Sequence, residues 1–122
     1  MHNLALELHA LGHAVSGSDD EIFDPAASRL SAAGLMPEAF GWFPEKITSN
    51  IDAIILGMHA KPDNPELQKA QKLGLPIFSF PAYVYEHALN KTRVVLAGSH
   101  GKTTSTAMLM HILKKEGRAF DY

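Results

Sequence analysis

An apolar run that leads directly into a glycine-bracketed loop constrains this chain more than any other feature. Residues 93–97 are apolar after Arg93 and include the β-branched Val94 and Val95, and the loop that follows reads Gly98-Ser-His-Gly-Lys-Thr-Thr104. The run predicts a buried parallel strand, and the spacing of Met108, Ile112 and Leu113 after the loop predicts a helix. Because a loop at such a junction directs several backbone N–H groups at one point, the segment predicts an anion site.

The side chains of this loop are those that a nucleoside triphosphate requires. Glycine at 98 and 101 lets the backbone approach phosphate oxygens, and the following helix adds its positive N-terminal end. Lys102 supplies a mobile positive charge and is the predicted catalytic residue, while the Thr103 hydroxyl stands where P-loop proteins hold Mg²⁺. We therefore expect ATP and Mg²⁺ as cofactors. The predicted ATP-binding residues are Gly98, Ser99, His100, Gly101, Lys102, Thr103 and Thr104.

The loop departs from the general pattern Gly-x-x-x-x-Gly-Lys-[Ser/Thr] at one position, since Leu96 stands where the pattern has glycine. The alternative is a tight strand-to-helix turn in which Lys102 is merely solvated. We favour phosphate binding because a turn has no need for Lys-Thr-Thr directly after glycine. His100 either orients the loop towards phosphate or only packs, and the residues leave both readings open.

The composition excludes several classes of partner. The 122 residues carry a net charge of −2 without an excess of Lys and Arg, so we expect no nucleic-acid partner. There is no cysteine, hence neither a disulfide nor a thiolate metal site. No apolar run approaches the ~20 residues that cross a bilayer, and the N-terminus lacks the features of a signal peptide. We therefore expect no membrane association and a cytoplasmic location.

Strand and helix signals alternate along the chain. Asn64-Pro65-Glu66 has the form of a helix N-cap followed by proline, and Asp24 is a second predicted N-cap. Such alternation at short intervals predicts an α/β fold, a Rossmann-like doubly wound parallel sheet with helices on both faces. The predicted strands are 13–17, 51–57, 75–78, 93–97 and a start at 119–120, and the predicted helices are 1–11, 25–33, 65–73, 81–89 and 103–116.

The first and last elements predict a fragment that is incomplete at both ends. A Rossmann-like sheet opens with a strand and a Gly-rich turn, whereas this chain starts within a helix, so we expect the first strand to be missing. It also stops one helix after the loop, before the strands that supply an acidic Mg²⁺ partner. The predicted domains are residues 1–90, an incomplete Rossmann-like domain, and residues 91–122, the start of an ATP-binding domain.

Polar residues follow two of the predicted strands. Ser18 and Asp19 come after strand 13–17, where Asp19 could accept a hydrogen bond from a ribose hydroxyl or lie in a solvated turn. His59 comes after strand 51–57 and lies either in a sugar-nucleotide cleft or in an exposed loop. Phe78, Phe80, Tyr83 and Tyr85 are expected to serve in core and interdomain packing rather than base stacking.

Taken together, three segments resemble the N-terminal portion of the Mur ligases, and within that family the UDP-N-acetylmuramate ligases. They are Ser16-Gly-Ser-Asp19, Asn64-Pro-Glu66 and Ala97-Gly-Ser-His-Gly-Lys-Thr-Thr104. His100 is the discriminating residue, because other members of the family have asparagine in this loop. The resemblance covers essentially the whole chain.

The resemblance implies an ATP-dependent ligase of peptidoglycan synthesis or recycling. ATP would phosphorylate the carboxylate of UDP-N-acetylmuramate, and an amine would attack the acyl phosphate to form an amide. The amine donor would be L-alanine or the tripeptide L-alanyl-γ-D-glutamyl-meso-diaminopimelate. Residues 1–90 would then bind the UDP-sugar through Ser18, Asp19 and His59, and the fragment alone would be inactive. A non-catalytic nucleotide-binding or UDP-sugar-binding module remains the alternative.

Overall fold

The computed structural model describes residues 1–120, which divide into two compact units, Met1–His87 and the residues from Ala88 onward. Within the described residues the first unit contains four α-helices, one 3-10 helix and two strands, and the second contains one α-helix. The elements are α1 (His2–Ala10), α2 (Ala26–Ala32), the 3-10 helix Pro44–Lys46, β1 (Ile54–Leu56), α3 (Pro65–Lys72), β2 (Ile77–Ser79), α4 (Phe80–His87) and α5 (Lys102–Lys115).

The sheet of the first unit consists of two parallel strands. β1 pairs with β2 in a register that places Ile54 opposite Ile77 and Leu56 opposite Ser79. Parallel neighbours need a crossover connection, and α3 provides it because it lies between the two strands in the chain. The prediction of an α/β fold with a parallel sheet is therefore confirmed at this level, and both strands are shorter than the apolar runs that predicted them.

Three predicted strands are absent from the part of the chain that the structure describes, namely 13–17, 93–97 and the start at 119–120. Apolar, β-branched side chains predict a strand, but a strand forms only where a neighbour pairs with its backbone. In the segment 93–97 the side chains of Val94 and Val95 are 65% and 84% exposed. The described sheet thus has two strands rather than the larger doubly wound arrangement that the sequence predicts.

The predicted helices are all present, with ends that differ by a few residues. The cap of α3 is confirmed: Asn64 Oδ1 accepts hydrogen bonds from the backbone N–H groups of Glu66 at 2.9 Å and Leu67 at 3.1 Å. Pro65 occupies the first helical position, where a missing N–H costs nothing. This cap fixes the position of the Glu66 backbone.

The start of α2 differs from the prediction, because Pro25 rather than Asp24 occupies the N-cap position. Asp24 still binds the helix one turn later, since its Oδ1 accepts from the Ser28 N–H at 2.9 Å and the Ser28 hydroxyl at 2.5 Å. The prediction placed the right residue at this end of the helix but in the wrong cap position.

The two bonds to Ser28, that from the hydroxyl first, lower the pKa of Asp24 from its ordinary value of 3.8. A lowered pKa stabilises the fold above the unfolded-state pKa, and that contribution is lost as the pH falls through the lower, folded-state pKa. We expect Asp24 to titrate below pH 3.8 by NMR, and Ser28→Ala to return its pKa towards that value. An unchanged titration in Ser28→Ala would contradict the assigned cause.

The core of the first unit is small. Its buried hydrophobic side chains are Leu30, Leu67, Ala70 and Tyr83 among the described residues. The Tyr83 ring meets Phe78 edge to face, with centroids 5.7 Å apart, and lies 4.1 Å from the His87 ring. The predicted packing role of Tyr83 is therefore confirmed, and its ring joins α4 to β2. The prediction of a core position is wrong for Tyr85, which is 58% exposed.

In residues 1–120, none of the helices combines the length and the apolar character that crossing a bilayer requires.

Candidate functional site

The loop between residues 98 and 101 ends at a glycine in a backbone conformation that other residues rarely adopt. Gly101 has φ of 74° and ψ of 2°, in the left-handed region, and it occupies the N-cap position of α5. No side chain caps this helix. The first N–H groups of a helix have no acceptor within it, so α5 directs free donors and its positive end at the loop.

Lys102, the first residue of α5, folds its side chain back over the loop. Its Nζ donates a hydrogen bond to the Gly98 carbonyl at 2.7 Å and makes a longer contact of 3.4 Å with the Ser99 carbonyl. The residue is exposed, so the ammonium group lies at the loop without the cost of burying a charge. The predicted catalytic lysine is thus held at the loop that the sequence predicts for phosphate.

The other residues of the loop lie together in the same segment. His100 Nδ1 is 3.1 Å from the Ser99 hydroxyl oxygen, and both residues are exposed. The histidine therefore contacts the loop itself rather than a core. Thr103 and Thr104 follow in the first turn of α5, where their side chains are also exposed. All seven predicted ATP-binding residues form one continuous loop and helix start.

In the first unit, Ser18 and Asp19 are tied to residues distant in the sequence. The Ser18 hydroxyl donates to Glu66 Oε1 at 2.7 Å, and the Phe43 backbone N–H donates to the same oxygen at 2.8 Å. The Asp19 carbonyl accepts from the Gly41 N–H at 2.8 Å. The Asp19 side chain accepts from its neighbour Asp20, at 2.9 Å. These bonds hold the polar segment after residue 17 against the turn at 41–43.

The sequence did not predict the long-range contacts of Glu66. The residue lies in the first turn of α3, where carboxylates are favoured by the helix dipole. Its bonds to Ser18 and Phe43 span 48 and 23 residues. No local pattern reports contacts of that separation.

His59 lies in the turn after β1, and its side chain is exposed. Within the described residues no hydrogen bond joins it to Ser18 or Asp19, so the structure does not bring these three predicted residues together by direct contact.

An open cavity of about 320 Å³ is lined in part by residues 15–17, which directly precede Ser18 in the sequence. This volume is within the range of small-molecule sites, roughly 300–1,000 Å³. Lys46 contributes a positive charge, and its Nζ lies 4.3 Å from the centroid of the Phe43 ring. The sequence did not predict this cavity because its lining comes from three separate segments. The lining residues are Val15, Ser16, Gly17, Gly34, Leu35, Met36, Pro37, Glu38 and Lys46.

Comparisons with known proteins all match this chain to Mur ligases. A family profile described as "Mur ligase family, catalytic domain" matches residues 1–92. The UDP-N-acetylmuramate--L-alanine ligase of Limosilactobacillus reuteri is 39% identical over 113 residues, which cover 93% of this chain and 25% of that protein. The enzyme of the same name from Carboxydothermus hydrogenoformans is 33% identical over 117 residues, covering 96% and 25%. The chain spans about a quarter of the length of these relatives.

A solved structure matches as well. It is the crystal structure of UDP-N-acetylmuramate:L-alanyl-gamma-D-glutamyl-meso-diaminopimelate ligase from Neisseria meningitides, with 31% sequence identity and a TM-score of 0.82. The match covers 96% of this chain and 36% of that one. The fold of this chain is therefore the fold of the corresponding part of that enzyme.

Proposed function

This chain belongs to the Mur ligase family, and we propose that it forms the UDP-sugar-binding region and the ATP phosphate loop of a cytoplasmic ligase of peptidoglycan synthesis or recycling. The ligase would join an amino acid or peptide to UDP-N-acetylmuramate through an amide bond. Residues 1–90 would form a Rossmann-like domain for the UDP-sugar, with Ser18, Asp19 and His59 at the ligand, and residues 91–122 would begin the P-loop ATPase domain.

The observation that carries this proposal is the position of Lys102. Its ammonium group lies over the Gly98 carbonyl, at the uncapped N-terminus of α5, and the left-handed Gly101 places no side chain of its own at the start of the helix. These residues fit a nucleoside triphosphate: free N–H donors meet phosphate oxygens, and the ammonium needs only side-chain rotation to reach them. The Thr103 hydroxyl would hold Mg²⁺, which when bound neutralises phosphate charge.

The proposed reaction has two steps. A carboxylate oxygen of UDP-N-acetylmuramate bonds to the γ-phosphorus of ATP, and the bond to ADP breaks. The donor amine then attacks the acyl carbon, inorganic phosphate leaves, and the nitrogen loses a proton to give the amide. Lys102 would stabilise the negative charge that spreads over the transferring phosphoryl oxygens, and the loop N–H groups would hold them in place.

The amine donor is proposed as either L-alanine or the tripeptide. The curated relatives carry L-alanine in their names, whereas the matching solved structure carries the tripeptide. The names of all three proteins include UDP-N-acetylmuramate. The proposal therefore specifies that substrate and names two candidate donors.

We expect the full-length protein to release ADP only when ATP, Mg²⁺, UDP-N-acetylmuramate and one of the two amines are all present. A coupled assay for ADP, run with L-alanine and with the tripeptide in parallel, identifies the donor. Nucleotide binding without turnover in either mixture would instead favour a non-catalytic module. The 122-residue chain alone is expected to be inactive, and ADP formation by it would contradict the proposal that it is a fragment.

A further inference from the structure

Three segments of the first unit meet at a single carboxylate oxygen. Glu66 Oε1 accepts the Ser18 hydroxyl at 2.7 Å and the Phe43 N–H at 2.8 Å, and all three residues are partly buried. We call Glu66, Ser18 and Phe43 the Glu66 clamp. Bonds to a charged acceptor are stronger than those between neutral groups, so the clamp fixes both partners.

The backbone of Glu66 is itself held in place. The Glu66 N–H donates to Asn64 Oδ1 at 2.9 Å, which anchors the backbone at the start of α3. Helix N-termini also favour negative charge in the first turn. The carboxylate thus extends from a fixed backbone to its two donors, Ser18 and Phe43.

The clamp determines which hydrogen-bonding role is left for Ser18. A serine hydroxyl has one proton to donate and two lone pairs that accept. The proton is committed to Glu66, so only the lone pairs remain available to a ligand. While it donates to Glu66, Ser18 can meet a ligand hydroxyl or N–H group and has no second proton for a phosphate oxygen.

We propose that Glu66 is a positioning residue for substrate binding, an inference that rests on the proposed UDP-sugar site. It holds the Ser18 hydroxyl as an acceptor for a hydroxyl or N–H group of the sugar nucleotide, and it fixes the segment after residue 17 against the turn at 41–43. The Gly41 N–H bond to the Asp19 carbonyl is a second tie between the same segments. Loss of Glu66 therefore weakens the placement of Ser18 without releasing the segment completely.

The test is steady-state kinetics on the full-length ligase. In Glu66→Ala we expect the KM for UDP-N-acetylmuramate to rise about tenfold, the effect of one lost hydrogen bond to the ligand, while kcat and the KM for ATP change less than about twofold. Glu66→Gln keeps an acceptor oxygen and should recover most of the affinity. Glu45→Ala removes an exposed carboxylate of the 3-10 helix and serves as the control.

A double-mutant cycle with Ser18→Ala separates positioning from general destabilisation. If Glu66 acts through Ser18, the Ser18→Ala/Glu66→Ala protein has a KM no higher than the worse single variant. The assignment would be overturned if the increases in KM of the two single variants multiplied in the double variant. An equally large rise in the KM for ATP would overturn it as well.

Calorimetric titration of the wild-type protein with UDP-N-acetylmuramate separates the two proposals. Binding by wild type with unchanged affinity in Glu66→Ala would refute the positioning role alone. No binding by wild type would refute the proposed function, and the positioning role with it.

Discussion

Lys102→Ala is expected to reduce ATP-dependent ligation by the full-length protein by about a hundredfold to a thousandfold or more. The Lys102 ammonium is held at the Gly98 carbonyl, on the loop that we propose binds the phosphates. Without it, the charge that develops on the transferring phosphoryl group loses its protein partner. The measurement is kcat from ADP release at saturating UDP-N-acetylmuramate and amine.

Two variants test whether the effect belongs to this position. Lys115→Ala removes the same charge from the last turn of the same helix and should leave kcat nearly unchanged. Lys102→Arg keeps the charge but replaces a compact ammonium with a planar group, so partial activity at most is expected. If Lys102→Ala kept half of the wild-type kcat, the assignment of the loop to ATP would be wrong.

Tyr83→Ala is expected to lower the free energy of unfolding of the chain by about 3–5 kcal/mol, the usual cost of removing a buried aromatic ring. Tyr83 is 9% exposed, and its ring contacts Phe78 on β2 and His87 on α4. A loss of this size is a large share of the roughly 5–15 kcal/mol that stabilises a typical domain. Urea unfolding followed by far-UV circular dichroism measures it.

Tyr83→Phe keeps the ring and both ring contacts, so its midpoint should stay close to that of the wild type. Tyr85→Ala, two residues on, removes a ring that is 58% exposed and should cost far less. Equal losses in Tyr83→Ala and Tyr85→Ala would show that burial at position 83 does not control stability.

The elements that the sequence predicted correctly are those that depend on neighbours in the chain. The Asn64-Pro65 cap, the helices and the two paired strands all follow from local spacing, capping chemistry and apolar runs. The start of α5 belongs to the same class, since the sequence predicts a helix from residue 103, directly after the loop, and the structure begins it at Lys102. For the candidate site, the continuous loop from Gly98 to Thr104 could be predicted for the same reason.

The features that the sequence did not predict depend on residues far apart. The segment 93–97 has the composition of a strand, but no strand forms there within residues 1–120, and Val94 and Val95 are exposed. Ser18 was predicted to be a ligand residue, yet its bond to Glu66 could not be predicted from spacing because 48 residues separate them. The cavity lined by residues 15–17 could not be predicted for the same reason, since its lining comes from three separate segments.

Under the proposed positioning role of Glu66, the spacing of Asn64 and Glu66 links the folding of one helix to the binding of the substrate. Asn64 fixes the backbone from which the Glu66 side chain reaches Ser18 and Phe43. A substitution chosen at position 64 for thermal robustness alone would then also alter substrate affinity. Engineers who wish to change either property should vary both positions jointly and screen for stability and affinity in the same library.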